Sequence, residues 1–274
     1  MTRIGLIGDN HGHWQALADA SAALCHDYGC TSAIQVGDCG FSLATVASHA
    51  GVRLALPVLA IDGNHEDHDL LHRLQRSDPA NDPWKAMGLS WVRRGEVRVL
   101  AGLCVAFIGG AVNADAQQLC WPVPRPGAPL PVRAEHATYP LEDDADRLCD
   151  NLGDRSPDLV ISHSCPAGIG VGLRGYETFD WSMSAYVRER GLDCGPSDDR
   201  GEPALRYLWQ RLSADGHRPR WWIFGHWHVD RETRVGGTRF LTLPPCDPEM
   251  GLWRPCWYDT ERNDVMVGTA RPLG

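Results

Sequence analysis

The stretch Ile61-Asp62-Gly63-Asn64-His65-Glu66 decides how the rest of the chain is interpreted. It follows the apolar run Leu56-Pro57-Val58-Leu59-Ala60, so it is predicted to be the turn in which a buried strand ends and a helix begins. This turn brings an amide and an imidazole, Asn64 and His65, to one place. An amide oxygen can bind a cation, and a histidine can carry a proton near neutral pH. Because Gly-Asn and Asn-His also occur in ordinary turns, the interpretation depends on the surrounding chain.

Two similar strand–loop–helix units precede this stretch. The apolar run 4–7 ends at Gly8-Asp9-Asn10-His11, and residues 14–28 carry apolar side chains at helical spacing. A second strand over 33–36 ends at Gly37-Asp38, and a short helix follows. Three successive units of this kind predict a largely parallel sheet, whose ligands bind at the carboxyl ends of its strands. That edge is expected to carry Asp9, His11, Asp38, Asn64 and His65.

The second half of the chain predicts more strands that end in histidine. The apolar run 158–162 reaches His163, and the run 221–224 reaches Gly225-His226-Trp227-His228. His226 and His228 are two residues apart, so an extended backbone would place both on one face. We expect a single domain over residues 1–274, with loop-rich insertions at about 111–156 and 167–202, where prolines, glycines and acidic runs interrupt the periodicity.

Composition excludes several classes of function. Apolar residues make up 43% of the chain and charged residues 22%, which is typical of a globular protein. The net charge of -9 argues against binding to an extended nucleic acid but not against a small phosphorylated substrate. Lys85 is the one lysine, and no Gly-x-x-x-x-Gly-Lys-Ser/Thr element is present, which excludes a nucleotide-binding phosphate loop. A strand starts at the N-terminus and no apolar run reaches about 18 residues, so we expect a cytoplasmic protein without a membrane segment.

The polar residues at the five strand ends are sufficient to bind two metal ions. Besides His65 they comprise two carboxylates, one amide and four imidazoles, namely Asp9, Asp38, Asn64, His11, His163, His226 and His228. Two cations about 3.5–4 Å apart hold both the attacking and the leaving oxygen of an in-line phosphoryl displacement, and they lower the pKa of a bound water. The chemistry expected of this set is therefore hydrolysis of a phosphate ester. The expected cofactor is a pair of divalent or trivalent ions, with manganese first and iron and zinc as alternatives, since mixed oxygen and nitrogen ligands suit all three.

These residues resemble the calcineurin-like metallophosphoesterases. The family pattern of Asp-x-His, Gly-Asp, Gly-Asn-His-Glu/Asp, a single His and Gly-His-x-His is present in order, and the resemblance spans residues 4 to about 243. It implies an α/β fold, a four-layer αββα sandwich of two mixed sheets with helices on the outer faces. It also implies a role for each side chain: Asp9, His11 and His228 at the first metal, Asn64, His163 and His226 at the second, and Asp38 bridging both.

The resemblance implies that His65 binds neither metal. It would instead donate a hydrogen bond to the phosphate or protonate the leaving group in hydrolysis that starts from a metal-bridging hydroxide. Phe41 stands where related phosphoprotein phosphatases carry the acid that orients this histidine, so Asp67, Asp115 or no residue would take that role here. Phe41 also removes the tyrosine ligand of purple acid phosphatases, so both subfamilies are disfavoured.

Four further residues are candidates for contact with substrate. Arg174 lies among glycines and could bind phosphate with two hydrogen bonds. Asn113 and Asp115 follow Gly109-Gly110 at a predicted strand end, and His68 lies at helical spacing beyond His65, where it could face the cleft. A solvated side chain is the alternative for Arg174 and His68. A catalytically inactive scaffold or protein-binding module of the same fold is the alternative to an enzyme, although a scaffold has no need of a complete ligand set. A monoester and a diester of a small molecule or nucleotide both stay open as substrates.

Overall fold

The computed structural model describes residues 2–111, 138–169 and 201–273. Within these ranges the strands are β1 (Arg3–Ile7), β2 (Ser32–Gln35), β3 (Val58–Ala60), β4 (Leu89–Trp91), β5 (Val97–Leu100), β6 (Leu103–Ile108), β7 (Leu159–Ser162), β8 (Trp221–Phe224), β9 (Arg231–Val235), β10 (Thr238–Thr242), β11 (Cys256–Asp259) and β12 (Asp264–Val267). The helices are α1 (Trp14–His26), α2 (Leu43–Ser48), α3 (His68–Leu74), α4 (Glu142–Leu152) and α5 (Pro203–Ala214), and short 3-10 helices cover Pro79–Asn81, Lys85–Met87 and Pro248–Met250.

The strands form two six-stranded mixed sheets. The first has the order β12-β11-β1-β2-β3-β4, and the second has the order β5-β6-β7-β8-β10-β9. In the first sheet β1 to β4 are mutually parallel, whereas β11 and β12 pair antiparallel at one edge. In the second sheet β6, β7, β8 and β10 are parallel, and the edge strands β5 and β9 run antiparallel. The parallel strands of each sheet therefore end on a common edge, where the predicted site residues follow them.

Strict alternation of side chains explains why the two sheets stack. In β1, Ile4 and Leu6 face a core between the sheets, while Ile7 faces the helices on the outer side. In β6, Val105 and Phe107 meet that same inner core. Because side chains of a strand alternate between its faces, a strand that is apolar on both faces can join two cores at once. The result is one apolar layer between the sheets and a further apolar layer outside each of them.

Helices cover both outer faces. Trp14, Leu17 and Leu24 of α1 lie on the outer face of the first sheet, together with Leu70 and Leu71 of α3. The outer face of the second sheet is covered by α4 and α5, with buried residues Ala145, Leu148, Leu152, Leu205, Leu208 and Leu212. These layers confirm the predicted αββα sandwich of two mixed sheets.

The sequence prediction missed two elements. Residues 111–156 were predicted to be irregular, yet α4 lies within that range and packs against β6 and α5. Its apolar positions Ala145, Leu148 and Leu152 follow a helical spacing. The acidic start Glu142-Asp143-Asp144 lowers the average hydrophobicity of the segment, so this spacing is easily overlooked. Those acids suit the positive end of a helix dipole, which is why they occur in its first turn. Strand β9 was missed because its sequence, Arg-Glu-Thr-Arg-Val, is mostly charged and carries no apolar run.

Candidate metal centre

The site is built on loops that adopt rare backbone conformations. Among the described residues, six besides glycine have a positive φ, and four of them are predicted metal ligands: His11 (44°), Asp38 (53°), His226 (65°) and His228 (52°). A left-handed conformation is costly for residues with a side chain and is found where the surrounding structure enforces it, often at functional sites. The loops that end β1, β2 and β8 are therefore shaped to aim these side chains inward.

Glycines next to the ligands allow the loops to approach one another closely. A Cβ on Gly225 would collide with Asp9 Oδ1, and a Cβ on Gly63 would collide with the backbone and carboxylate of Asp38. Gly37 has a φ of 105°, and a Cβ there would collide with the imidazole of His163. These three glycines thus leave room for predicted ligands that come from other strand ends.

The first group of ligand atoms belongs to Asp9, His11 and His228. One ligand atom of each residue lies within 4.8 Å of the others. His228 Nε2 is 3.1 Å from Asp9 Oδ2, and the rings of His11 and His228 are 4.8 Å apart in an edge-on arrangement. The backbone N–H of His226 also donates to Asp9 Oδ2, at 2.8 Å. Asp9 Oδ1 is buried and has no hydrogen-bond partner among the described residues.

The second group belongs to Asp38, His163 and His226, with ligand atoms again within 4.8 Å of one another. His163 Nε2 lies 3.4 Å from Asp38 Oδ1 and 3.1 Å from Asn64 Oδ1. The ring of His226 meets the ring of His163 at 5.1 Å. The prediction that His226 and His228 share one face of an extended strand is wrong, because both have left-handed backbones and their rings enter different groups.

Asp38 lies between the two groups. Its Oδ2 is 3.7 Å from Nε2 of His11 in the first group, and its Oδ1 is 3.4 Å from Nε2 of His163 in the second. The backbone N–H of His65 donates to Asp38 Oδ1 at 2.9 Å. Burial raises the pKa of Asp38, but the His163 imidazole and the hydrogen bonds outweigh it and hold that pKa well below its ordinary value. The carboxylate is therefore ionised and faces both groups.

This donor set fits divalent cations. His163 Nδ1 lies 2.8 Å from the carbonyl of Val36, which can only accept a hydrogen bond, so a neutral ring presents a lone pair at Nε2 to two oxygens. Atoms that all offer lone pairs to one point need a proton or a cation there. Burial lowers the pKa of His163, but the carboxylates of Asp38 and Asp9 outweigh it and raise the pKa to about 10. A proton would thus take the place of a cation in the metal-free protein.

Glu66 holds the loops of the second group together, a role that the sequence did not reveal. Its carboxylate accepts from the backbone N–H groups of Cys39 (2.8 Å), Gly40 (2.9 Å), Phe41 (2.6 Å) and Gly63 (3.3 Å). Burial and the nearby Asp38 raise the pKa of Glu66 to about 8, while these backbone donors oppose the shift. Glu66 therefore cross-links the loop after β2 to the loop after β3.

His65 lies beside both groups and within neither. Its side chain is exposed, and its ring centre is 6.0 Å from that of His11. Phe41 is buried against Trp84 in the outer core and offers no polar group to orient His65. Asp67, one proposed partner, caps α3 by accepting from the backbone N–H of Leu70 at 2.9 Å. The other proposed partner, Asp115, lies outside the described residues.

Of the four candidate substrate contacts, His68 alone can be located. Arg174, Asn113 and Asp115 lie outside the described residues, so their roles stay predictions. His68 lines a cavity of about 170 Å³ together with Asp62, Trp91 and Arg94. Burial, followed by the nearby Arg94, lowers the pKa of His68 to about 4, so its imidazole is neutral at physiological pH. His68 belongs to neither group of ligand atoms.

Sequence reasoning also missed Asp247, which contacts the first group from outside. Its Oδ2 lies 2.9 Å from His11 Nδ1, and only 6% of the residue surface is exposed. Asp247 follows β10 in the stretch Leu243-Pro244-Pro245-Cys246-Asp247, which carries no motif that predicts a site. Its position after a buried strand of the second sheet is the signal that could have indicated it.

Comparisons with known proteins identify the family and relate the fold to solved structures. The sequence profile of the family described as calcineurin-like phosphoesterase matches residues 2–230. The protein TT1561 of Thermus thermophilus has a similar structure, with a TM-score of 0.56 and 14% identity over 98% of this chain and 99% of that one. A dimetal phosphatase from Danio rerio is similar with a TM-score of 0.50 and 13% identity over 93% of this chain and 91% of that one.

These structural likenesses, at such low identities, show a shared fold. No curated protein matches the chain at the threshold of significance. In the ranges that the structure describes, no helix has both the length and the apolar character needed to cross a bilayer.

Proposed function

The chain belongs to the calcineurin-like phosphoesterase family, and from this premise we propose that it hydrolyses a phosphate ester at a centre of two metal ions. One ion would be held by Asp9, His11 and His228, the other by Asn64, His163 and His226, and both by Asp38. The observation that carries the proposal is the position of Asp38, whose two carboxylate oxygens face different groups of ligand atoms at 3.7 and 3.4 Å. A carboxylate so placed is suited to bridge two cations.

The chain's own residues support this chemistry in distinct ways. When bound, two divalent cations supply the positive charge that stabilises the oxygens around phosphorus and that acidifies an attacking water. His65 is exposed next to the ligand groups, so its ring can donate a hydrogen bond to a phosphate oxygen and then protonate the leaving alcohol. The hydrogen bond from its backbone N–H to Asp38 Oδ1 holds the main chain of His65 next to the centre.

The proposed substrate is a small phosphorylated molecule, either a monoester or a diester. The net charge of -9 disfavours a grip on an extended nucleic-acid backbone, while it is compatible with a phosphate that reaches a cationic centre. Manganese is the proposed metal, and iron or zinc would suit the same mixture of nitrogen and oxygen ligands.

Hydrolysis of a generic aryl phosphate and of a bis-aryl phosphate by the protein loaded in turn with manganese, iron and zinc tests the proposal. We expect turnover with at least one metal, and we expect Asn64→Ala to abolish it. Ser48→Ala is the matched control, since Ser48 is exposed on α2 and hydrogen-bonds within its own helix. A protein that binds two metal ions but turns over no ester of a wider panel would instead be an inactive scaffold of this fold.

A further inference from the structure

Asp247 contacts His11, a proposed metal ligand, at Nδ1, whereas Nε2 of the same ring is the nitrogen near Asp38. Its carboxylate Oδ2 lies 2.9 Å from His11 Nδ1, and its side chain is 7% exposed. The other oxygen, Oδ1, accepts from the backbone N–H of Glu249 at 2.8 Å, which caps the 3-10 helix Pro248–Met250. The carboxylate is thus held at both oxygens, and one of them is committed to the imidazole.

The loop that carries Asp247 is fixed to the strand that carries the first ligands. The backbone N–H of Cys246 donates to the carbonyl of Asp9 at 2.7 Å, and a Cβ on Gly8 would collide with the carbonyl of Pro244. This hydrogen bond, one residue before Asp247, holds the Asp247 loop beside the loop that carries His11. A contact delivered by such a fixed backbone is preorganised, so little entropy is lost when it forms.

The contact determines which nitrogen of His11 carries the proton. A carboxylate accepts hydrogen bonds, so His11 donates through Nδ1. The neutral ring then carries its lone pair at Nε2, which is 3.7 Å from Asp38 Oδ2 and on the side of the first group. The other tautomer would place two acceptors 2.9 Å apart at Asp247 and a hydrogen where a cation would bind.

We propose that Asp247 is a positioning residue, which holds His11 in the tautomer and orientation that present Nε2 to the first metal ion. The inference rests on the proposed function, because it takes His11 as a metal ligand. A charged partner on the far nitrogen also makes an imidazole more basic and a stronger ligand. The second group uses a neutral partner for the same purpose, since His163 Nδ1 meets the carbonyl of Val36 at 2.8 Å.

His13 makes a longer contact with the same carboxylate. His13 Nε2 lies 3.5 Å from Asp247 Oδ1, and the His13 side chain is 35% exposed. This distance exceeds that of the His11 contact by 0.6 Å, from 3.5 and 2.9 Å, and it falls outside ordinary hydrogen-bond range. His11 is therefore the residue on which Asp247 acts, and His13→Ala separates the two contacts.

Two substitutions of Asp247 test the proposal without removing the helix cap. Asp247→Ser keeps a capping oxygen but is too short to reach His11, and Asp247→Asn keeps the length but loses the charge. Manganese titrations followed by calorimetry and by electron paramagnetic resonance measure the two affinities separately from turnover. We expect Asp247→Ser to weaken one of the two sites by about 10–100-fold and Asp247→Asn to weaken the same site by less. The control Glu249→Gln, two residues away and with an exposed side chain, should leave both affinities unchanged.

Nitrogen-15 spectra of the metal-free protein labelled at histidine read the tautomer directly. We expect a proton on His11 Nδ1 in the wild type and in His13→Ala, and a mixture of tautomers in Asp247→Ser. Unchanged affinities together with an unchanged tautomer in Asp247→Ser would overturn the inference, even if the protein hydrolyses esters. A weakened site in a protein that hydrolyses no ester would support the inference and remove the proposed function. A wild type that binds no metal would overturn both.

Discussion

The two groups of ligand atoms differ in depth and in what holds them. In the first group, His11 and His228 have side chains that are 23% and 28% exposed, whereas His163 and Asp38 of the second are 0% and 2% exposed. The first group is supported by a loop near the C-terminal end of the chain, in which Asp247 contacts His11. The second is supported by the end of β2, through the carbonyl of Val36. A buried group backed by the sheet is more rigid, so the second group is the better preorganised of the two.

Buried polar cross-links hold the loops that carry both groups. Glu66 joins the loops after β2 and β3 by accepting from four backbone N–H groups, and both loops contribute to the second group. Gln35 adds a buried hydrogen bond to the carbonyl of Gly37 at 2.6 Å and another to Asn10 Oδ1 at 3.1 Å. Satisfied buried networks of this kind restrict a site to one arrangement. The Asn10 contact extends this network to the loop that carries Asp9 and His11, so the two groups differ in their exposure to solvent and in the Asp247 contact rather than in having cross-links.

Asp38→Asn should impair both groups and so remove the difference between them, because Asp38 faces both groups. Loss of its charge leaves His11 and His163 without their shared carboxylate, so we expect neither group to hold a metal tightly. Turnover should fall by at least about a thousandfold, equivalent to roughly 4 kcal/mol of activation free energy. Metal content after dialysis and the rate of ester hydrolysis are the measurements. Retention of one tightly bound metal would show that one group binds its ion without the Asp38 carboxylate.

His65→Ala should separate chemistry from metal binding in both groups. The ring of His65 lies outside both sets of ligand atoms, so metal content should stay at the wild-type value. Turnover should fall by about a hundredfold or more, as is typical when a general acid is removed. Metal analysis and single-turnover kinetics of the same preparations give the two quantities. Loss of both metals with no further kinetic defect would contradict the assigned role.

Gly225→Ala should disturb the first group more than the second. A Cβ at Gly225 would collide with Asp9 Oδ1, whereas Gly51 has nothing within 4 Å of an added Cβ, so Gly51→Ala is the matched control. Overpacking of this kind costs about 1–3 kcal/mol, and we expect the affinity of the first group to fall along with the stability. Denaturant unfolding and metal titration check both effects. Equal stabilities and metal affinities in the two alanine variants would mean that the loop around Gly225 moves to accommodate the added Cβ without cost.

The two metal ions should leave the protein one after the other. This is the smallest of the expected effects, and it compares the affinities of the two groups directly. Because His11 and His228 of the first group are more exposed than His163 of the second, a chelator should remove the ion of the first group first. We expect two steps in a manganese titration, with affinities that differ by about tenfold or more, which corresponds to roughly 1.4 kcal/mol. Calorimetry of the metal-free protein measures the steps, and Asp247→Ser should widen their separation. A single titration step with two equal affinities would show that the two groups bind metal equally well.

Most of the fold was predictable because it follows from local periodicity. The strand–loop–helix units before residue 75 and the strands around His163 and His226 were all read from apolar runs and their stops, and the structure confirms them. Helix α4 was missed because three acids begin it and only three buried apolar side chains, Ala145, Leu148 and Leu152, mark its inner face. The division of the chain into one domain with two insertions stays a prediction.

The sequence by itself predicted strand–loop–helix units with a largely parallel sheet, indicated through its motifs the family whose resemblance implies the αββα sandwich, and supplied the list of residues at the strand ends. It could do so because alternation, glycine stops and motif spacing are local properties of the chain. Only the tertiary structure decided that Asp38 faces both groups, that His226 and His228 diverge through left-handed backbones, and that Asp247 meets His11. The physical reason is that such contacts join segments far apart in the chain, 236 residues in the case of His11 and Asp247, and their geometry depends on how two sheets stack rather than on either segment alone.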